Sequence, residues 1–314
     1  MTVVRGLHLL MYCLVISSIL FGQIEMQVTI TPDNGKLSGT MLIADTTTIT
    51  PVVLIIAGSG PTDRNGNNSM MINNSLQYLA EGLTEMGISS LRFDKRGIGE
   101  SVEAGLKEED LRFETYINDV ISWVSFLKNE KKFSDVIICG HSEGALIGMI
   151  ASKLSSVDKY ISLAGAGLPA ADIIRNQLEN QPPMVKDAAF PILDSLENGL
   201  NVQNVPFFLS SLFRPTIQDY VISWFKYNPV NEINELSIPV MIIQGGTDIQ
   251  VSIDNAELLQ KIKPNATYLF IEQMNHILKK APAERTANIA TYSDPKLPVV
   301  PELIHGIAAF VSKS

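Results

Sequence analysis

The chain has 314 residues, 46% of them hydrophobic and 18% charged, enough to bury one large core or two smaller ones. A formal charge of −9, with no Lys/Arg block, supplies no electrostatic footprint for nucleic acid. Its two cysteines, Cys13 and Cys139, exclude a disulfide framework and a thiolate metal site.

The chain opens on Arg5 and then a nearly unbroken apolar run from Leu9 to Phe21. Spanning a bilayer takes about 20 such residues, so the run predicts the core of a secretory signal peptide over residues 1–22. Cleavage falls after Gly22, although Leu20 is a poor match for the small residue usual at that position. The expected location is therefore periplasmic or extracellular, with no stable membrane insertion after cleavage. An uncleaved N-terminal anchor is the alternative, and Met11-Tyr12 ahead of Cys13 does not resemble a lipid-attachment site.

Residues 24–50 alternate apolar and polar around Pro32-Asp33-Asn34-Gly35, which predicts an N-terminal antiparallel hairpin. Pro51 to Ala57 is continuously apolar, as in a strand covered on both faces, and runs into Gly58-Ser59-Gly60-Pro61. Leu76, Leu79, Leu83 and Met86 fall at helical spacing over 73–86; a strand follows over 88–93 and a helix over 116–127. Strand 135–139, helix 143–154 and strand 160–164 continue the alternation. From about 170 to 235 the rhythm breaks into mixed helical segments punctuated by Pro182-Pro183, Pro191, Pro206, Pro215 and Pro229. It resumes with strand 239–244, helix 252–262, strand 267–271 and a closing helix over 301–312. Strands alternating with helices predict an α/β protein whose mainly parallel sheet is covered on both faces. Its core comprises 23–169 and 236–314, and 170–235 forms a helical cap insertion.

Gly140-His141-Ser142-Glu143-Gly144 joins a strand to a helix and fits the G-x-S-x-G nucleophile elbow, a turn that strains and exposes its serine. A serine hydroxyl needs a base within hydrogen-bond reach and an acid to orient that base. His8 lies in the signal peptide and His141 in the elbow itself. Of the remaining two, His276 follows the last strand on a loop, while His305 sits within the closing helix. His276 is thus the candidate base. Asp248 follows strand 239–244 through Gly245-Gly246-Thr247, at the edge where open α/β sheets build sites. Asp254 instead opens a helix, where a carboxylate complements the dipole. The chain order Ser142, Asp248, His276 is that of an α/β-hydrolase triad.

The oxyanion donors expected for such a site are the backbone N–H of Glu143, after the nucleophile, and that of Ser59, in the early loop. No Gly-Lys-Ser/Thr follows the early glycines, so the loop is not a phosphate loop. Arg92-Phe93-Asp94-Lys95-Arg96-Gly97-Ile98-Gly99 lacks the third glycine of a dinucleotide site; Asp94 and Arg96 are expected to tie down a loop beside the oxyanion turn. The Glu143 side chain either contacts a cationic substrate group or pairs with a basic residue such as Arg64.

The chain resembles the α/β-hydrolase superfamily from about residue 35 to its end. Residues 57–67, Arg92 to Gly97 and the elbow together are similar to a bacterial esterase group often labelled serine aminopeptidase-like or lysophospholipase-like. The resemblance implies hydrolysis of a small-molecule carboxylic ester of short acyl chain, with Ser142, Asp248 and His276 as the triad and no metal or organic cofactor. The apolar, aromatic-bearing insertion would roof the acyl pocket. Two other readings stand beside this one. The first is an aminopeptidase or amidase in which Glu143, Glu179 or Glu197 grips the amine. The second is a secreted binding protein that keeps the fold without turnover.

Overall fold

The computed structural model describes residues 24–32, 35–179 and 181–313. The expected signal peptide and the turn residues Asp33 and Asn34 lie outside them. Eight strands form one sheet: β1 (Ile24–Ile30), β2 (Leu37–Ile43), β3 (Thr50–Ile56), β4 (Ser89–Phe93), β5 (Phe133–His141), β6 (Lys159–Leu163), β7 (Val240–Gly245) and β8 (Thr267–Ile271). Their order across the sheet is β1-β2-β4-β3-β5-β6-β7-β8. β1 and β2 form the expected antiparallel hairpin, with Ile24 opposite Ile43 and Ile30 opposite Leu37. β2 joins β4 antiparallel, and every pair from β4 through β3 to β8 is parallel.

Eleven helices are described. α1 (Ser75–Glu85), α2 (Phe113–Asn129) and α3 (Glu143–Leu154) precede the insertion. Within it lie α4 (Ala170–Glu179), α5 (Pro183–Glu197), α6 (Ser210–Phe213), α7 (Gln218–Phe225) and α8 (Pro229–Asn234). α9 (Ile253–Ile262), α10 (Arg285–Ala290) and α11 (Pro301–Val311) follow. Among these residues no helix is long and apolar enough to cross a membrane.

The unbroken hydrophobicity of β3 has a direct cause. Val52, Leu54 and Ile56 enter one core with α2, α3 and α9, while Val53, Ile55 and Ala57 enter the other with α1 and α11. A strand with a buried side chain on each face cannot alternate apolar with polar. β2 departs from the half-buried pattern read from its sequence: Leu37, Met41 and Ile43 enter one core, Leu42 the other, and all seven of its residues are buried. Its Thr40 hydroxyl accepts a hydrogen bond from Arg64 Nη1 at 2.9 Å, and the Ser38 amide donates to Ser101 Oγ at 2.9 Å.

The insertion docks on α2 through aromatic rings. Phe113 stacks on Trp224 with centroids 5.9 Å apart, and Tyr116 meets Tyr220 edge-on at 5.7 Å. The amide of Phe113 donates to Ser223 Oγ at 2.8 Å, so the first turn of α2 is satisfied by α7. Pro183 and Pro229 occupy first helical turns, where a missing N–H costs nothing, but Pro191 lies within α5 rather than ending it.

Two stretches carry structure with no periodic signal. Residues 99–104 and 108–110 form short 3-10 turns ahead of α2. Residues 274–300 form a strap along the sheet edge, paired by bridges from Met274 to Lys280 and from Lys279 to Val299. Lys279 staples the strap: its buried ammonium donates to the carbonyls of Asn73, Asp294 (3.2 Å) and Leu297.

Behind β4, Arg96 grips Asp119 of α2 with Nη2 to Oδ1 at 2.6 Å and Nε to Oδ2 at 2.7 Å, both side chains at most 5% exposed. Removing one member of such a pair leaves a buried charge without its counter-ion. Asp119→Ala is expected to lower unfolding free energy by about 3–5 kcal/mol, read from urea denaturation at neutral pH.

Candidate active site

The parallel strands deliver the candidate residues to one edge. β4 and β5 lie on opposite sides of β3, so the strand order reverses there, and crevices in open α/β sheets form beyond the strand C-termini at such a reversal. Ser59 follows β3, Ser142 follows β5 directly, Asp248 follows β7 and His276 follows β8.

Ser142 has φ 56° and ψ −121°, a conformation foreign to ordinary L-residues and costing about 1–3 kcal/mol. The glycines that flank it make this turn possible. A Cβ on Gly140 would stand 2.1 Å from the Gly144 carbonyl oxygen, and one on Gly144 would stand 2.6 Å from the oxygens of Ile56 and Ala57. The Ser142 amide donates to Leu163 O at 3.0 Å, which ties the elbow to β6.

Ser142 Oγ lies 3.0 Å from His276 Nε2, and His276 Nδ1 lies 2.8 Å from Asp248 Oδ2. The other Asp248 oxygen accepts the amides of Gln250 at 2.8 Å and Val251 at 2.9 Å. Burial of this carboxyl opposes ionisation, but the His276 ring and the two amides outweigh it and hold Asp248 below its ordinary pKa. It is therefore ionised and fixed at both oxygens. His305, by contrast, lies exposed on α11, and Asp254 occupies the first turn of α9.

Glu143 begins α3, so its amide has no carbonyl within the helix to bond. Gly58 abuts Ser142: a Cβ there would lie 3.1 Å from Ser142 Cβ. The backbone of the Gly58-Ser59 loop is thus adjacent to the serine. The loop is braced by Arg64, whose amide donates to Asp94 Oδ1 at 2.8 Å and whose Nη2 meets Asp94 Oδ2 at 2.6 Å and Glu100 Oε2 at 2.7 Å. Asp94 ties down this loop as expected. Among the described residues the Arg96 guanidinium instead meets Asp119 and holds the following turn to α2.

The pairing of Glu143 with Arg64 is corrected, since Arg64 is taken by Asp94 and Glu100. The Glu143 side chain is 3% exposed; its Oε1 accepts the Tyr220 hydroxyl at 2.8 Å and lies 3.8 Å from Lys95 Nζ. Both partners come from elements remote in sequence, which is why local spacing did not reveal them. Lys95 had a visible signal in the charged run 92–96; Tyr220 had none beyond its place in the insertion.

His141 is a further site residue that sequence reasoning left without a role. Its Nε2 lies 2.7 Å from the His276 carbonyl oxygen, and the two rings are 4.9 Å apart. Burial, with the neighbouring His276 ring, pushes its pKa down to about 3. A neutral His141 therefore donates Nε2–H to that carbonyl and holds the His276 backbone against the elbow. His141 thus takes up its proton far below neutrality and adds no step to the pH profile near it. The acid limb of log(kcat/KM) against pH is expected to have unit slope; a slope of two would contradict a permanently neutral His141.

Comparisons agree with this architecture. A family model described as serine aminopeptidase, S33, matches residues 72–210, which include the elbow. Est1E from Butyrivibrio proteoclasticus, solved with ferulic acid bound, superposes with a TM-score of 0.61 at 18% identity, over 91% of this chain and 100% of that one. The chain has the α/β-hydrolase fold. Pyrococcus furiosus esterase Pf2001 is similar over 98% of each chain, with a TM-score of 0.59 and 19% identity. Among curated proteins, esterase EstD of Thermotoga maritima is 27% identical over 241 residues, 73% of this chain. The chain spans about half, 54%, of that relative's length.

Proposed function

We propose that the chain is a serine esterase that cleaves carboxylic esters of short acyl chain through an acyl-enzyme. The observation that carries this reading is the relay from Asp248 through His276 to Ser142, with gaps of 2.8 and 3.0 Å at a strained elbow. His276 Nε2 accepts the Ser142 proton as Oγ attacks the ester carbonyl carbon. The carbonyl electron pair moves onto oxygen, where the amides of Ser59 and Glu143 stabilise it. Collapse of this intermediate breaks the bond to the alcohol oxygen, which takes the proton from His276. Water then attacks the acyl-serine with the same histidine as base, releasing the acid and restoring Ser142. Asp248 stays ionised and stabilises the imidazolium. The esterase names borne by the relatives are consistent with this reading.

The aminopeptidase alternative needs a carboxylate free to grip an amine. Glu143 is buried against Tyr220 and Lys95, Glu197 pairs with Arg175 at 2.6 Å, and Glu179 with Lys186 at 3.2 Å. Each candidate thus has a partner already, which favours an uncharged ester. A series of p-nitrophenyl esters from acetate to palmitate, run beside aminoacyl p-nitroanilides, tests both points. The highest kcat/KM is expected at the short-chain end; a peak at palmitate or on the anilides would overturn the assignment. A serine-directed phosphonate is expected to add its mass to the tryptic peptide holding Ser142, and an unmodified peptide would sink the enzyme reading altogether.

A further inference from the structure

Lys95 lies just beyond β4 with its side chain 2% exposed. Its ammonium donates to the Gly58 carbonyl oxygen at 2.6 Å, faces Glu143 Oε1 at 3.8 Å and sits 5.2 Å from the centre of the Tyr116 ring. The Tyr220 hydroxyl, from the insertion, fastens the same Glu143 oxygen. Burial works against a charge here and pushes the Lys95 pKa down, with Glu143 opposing that shift. The mechanism proposed above makes no use of this expensive group.

The loop that Lys95 touches is one that can turn over. The unit between Gly58 and Ser59 turns about ψ of Gly58 and φ of Ser59, and Gly58, having no Cβ, offers little resistance on its side. In a trans peptide the carbonyl oxygen and the next amide hydrogen point in opposite directions, and no cis bond occurs among the described residues. The Gly58 carbonyl and the Ser59 N–H belong to one such unit. With the oxygen held on Lys95, the N–H is directed away from the ammonium. Turned over, the same unit would offer a carbonyl dipole where a donor is needed.

We propose that Lys95 is a positioning residue for the oxyanion hole. It fixes the peptide that supplies the Ser59 donor and, through the Glu143 carboxylate, the first residue of α3, which supplies the other. Tyr220 of α7 completes the chain, so the segment between β6 and β7 helps to hold the donors. The inference rests on the esterase reading and deepens it.

The test compares an oxygen ester with its thiono counterpart, in which sulfur replaces the carbonyl oxygen. Sulfur is a poor acceptor of N–H bonds, so a working oxyanion hole favours the oxygen ester. Lys95→Met keeps the bulk and removes the donor. It is expected to lower kcat on the oxygen ester by about 10- to 100-fold, a part of the loss when a whole donor is removed. KM should hold, and the oxygen-to-thiono rate ratio should fall by a similar factor. Tyr220→Phe loses one oxygen atom and spares the packing; it is expected to lower both quantities about 3- to 10-fold. A kcat loss with an unchanged ratio would make Lys95 a structural prop only, and an unchanged kcat in Lys95→Met would also overturn the proposal. If Tyr220→Phe alone is obtained folded, its rate ratio decides the matter by the same criterion. Turnover that survives Ser142→Ala would instead sink the nucleophile assignment beneath it.

Discussion

Replacing Ser142 with alanine is expected to lower kcat on a p-nitrophenyl ester by a factor on the order of 10⁶, the loss seen when a serine hydrolase is stripped of its nucleophile. The variant should still fold. Among the described residues the Ser142 Oγ bonds only to His276, while the backbone contacts of the elbow run through Leu163 and remain. Alanine inherits the φ of 56°, so the strain stays in place. Glycine tolerates that conformation. Ser142→Gly should therefore be equally inactive yet more stable than wild type by about 1 kcal/mol, within the strain expected of such a residue. Steady-state rates and urea unfolding of the two variants check both halves. Residual turnover above a thousandth of wild type would remove Ser142 as the nucleophile.

Asp248→Asn is the second large effect, a kcat loss on the order of 10⁴. The local geometry dictates why. The oxygen facing the Gln250 and Val251 amides must remain an acceptor, so the new carbonyl oxygen settles there. That leaves the –NH2 facing His276 Nδ1. A donor at this point forces the ring proton onto Nε2, the nitrogen that must accept the Ser142 proton. Thermal melting should change far less than activity, because shape and two of the hydrogen bonds are kept. A loss of less than tenfold would show that the Asp248 charge is not what readies His276.

The sequence disclosed these residues unequally, for physical reasons. β3 was legible because burial on both faces leaves an unbroken apolar run, and the elbow because two glycines are demanded by close backbone approach. His276 stood apart from His305 once one was read on a loop and the other on a helix. The partners of Glu143 were not legible, because Lys95 and Tyr220 arrive from the end of β4 and from α7, and no spacing rule spans such distances. The strap over residues 274–300 was equally silent. It is held by the Lys279 ammonium on main-chain carbonyls, which any sequence supplies.

The chain order of the site bears on when activity can begin. Ser59, Ser142 and Glu143 precede the insertion, whereas β7 and β8, with Asp248 and His276 beyond them, follow it. A polypeptide made from its N-terminus acquires the elbow early and the proposed base late. Until β8 pairs with β7 at the far edge of the sheet, the serine has no proton acceptor. On the proposed mechanism a nascent or partly unfolded chain is thus chemically silent, and ester hydrolysis would double as a report that the last strand has docked.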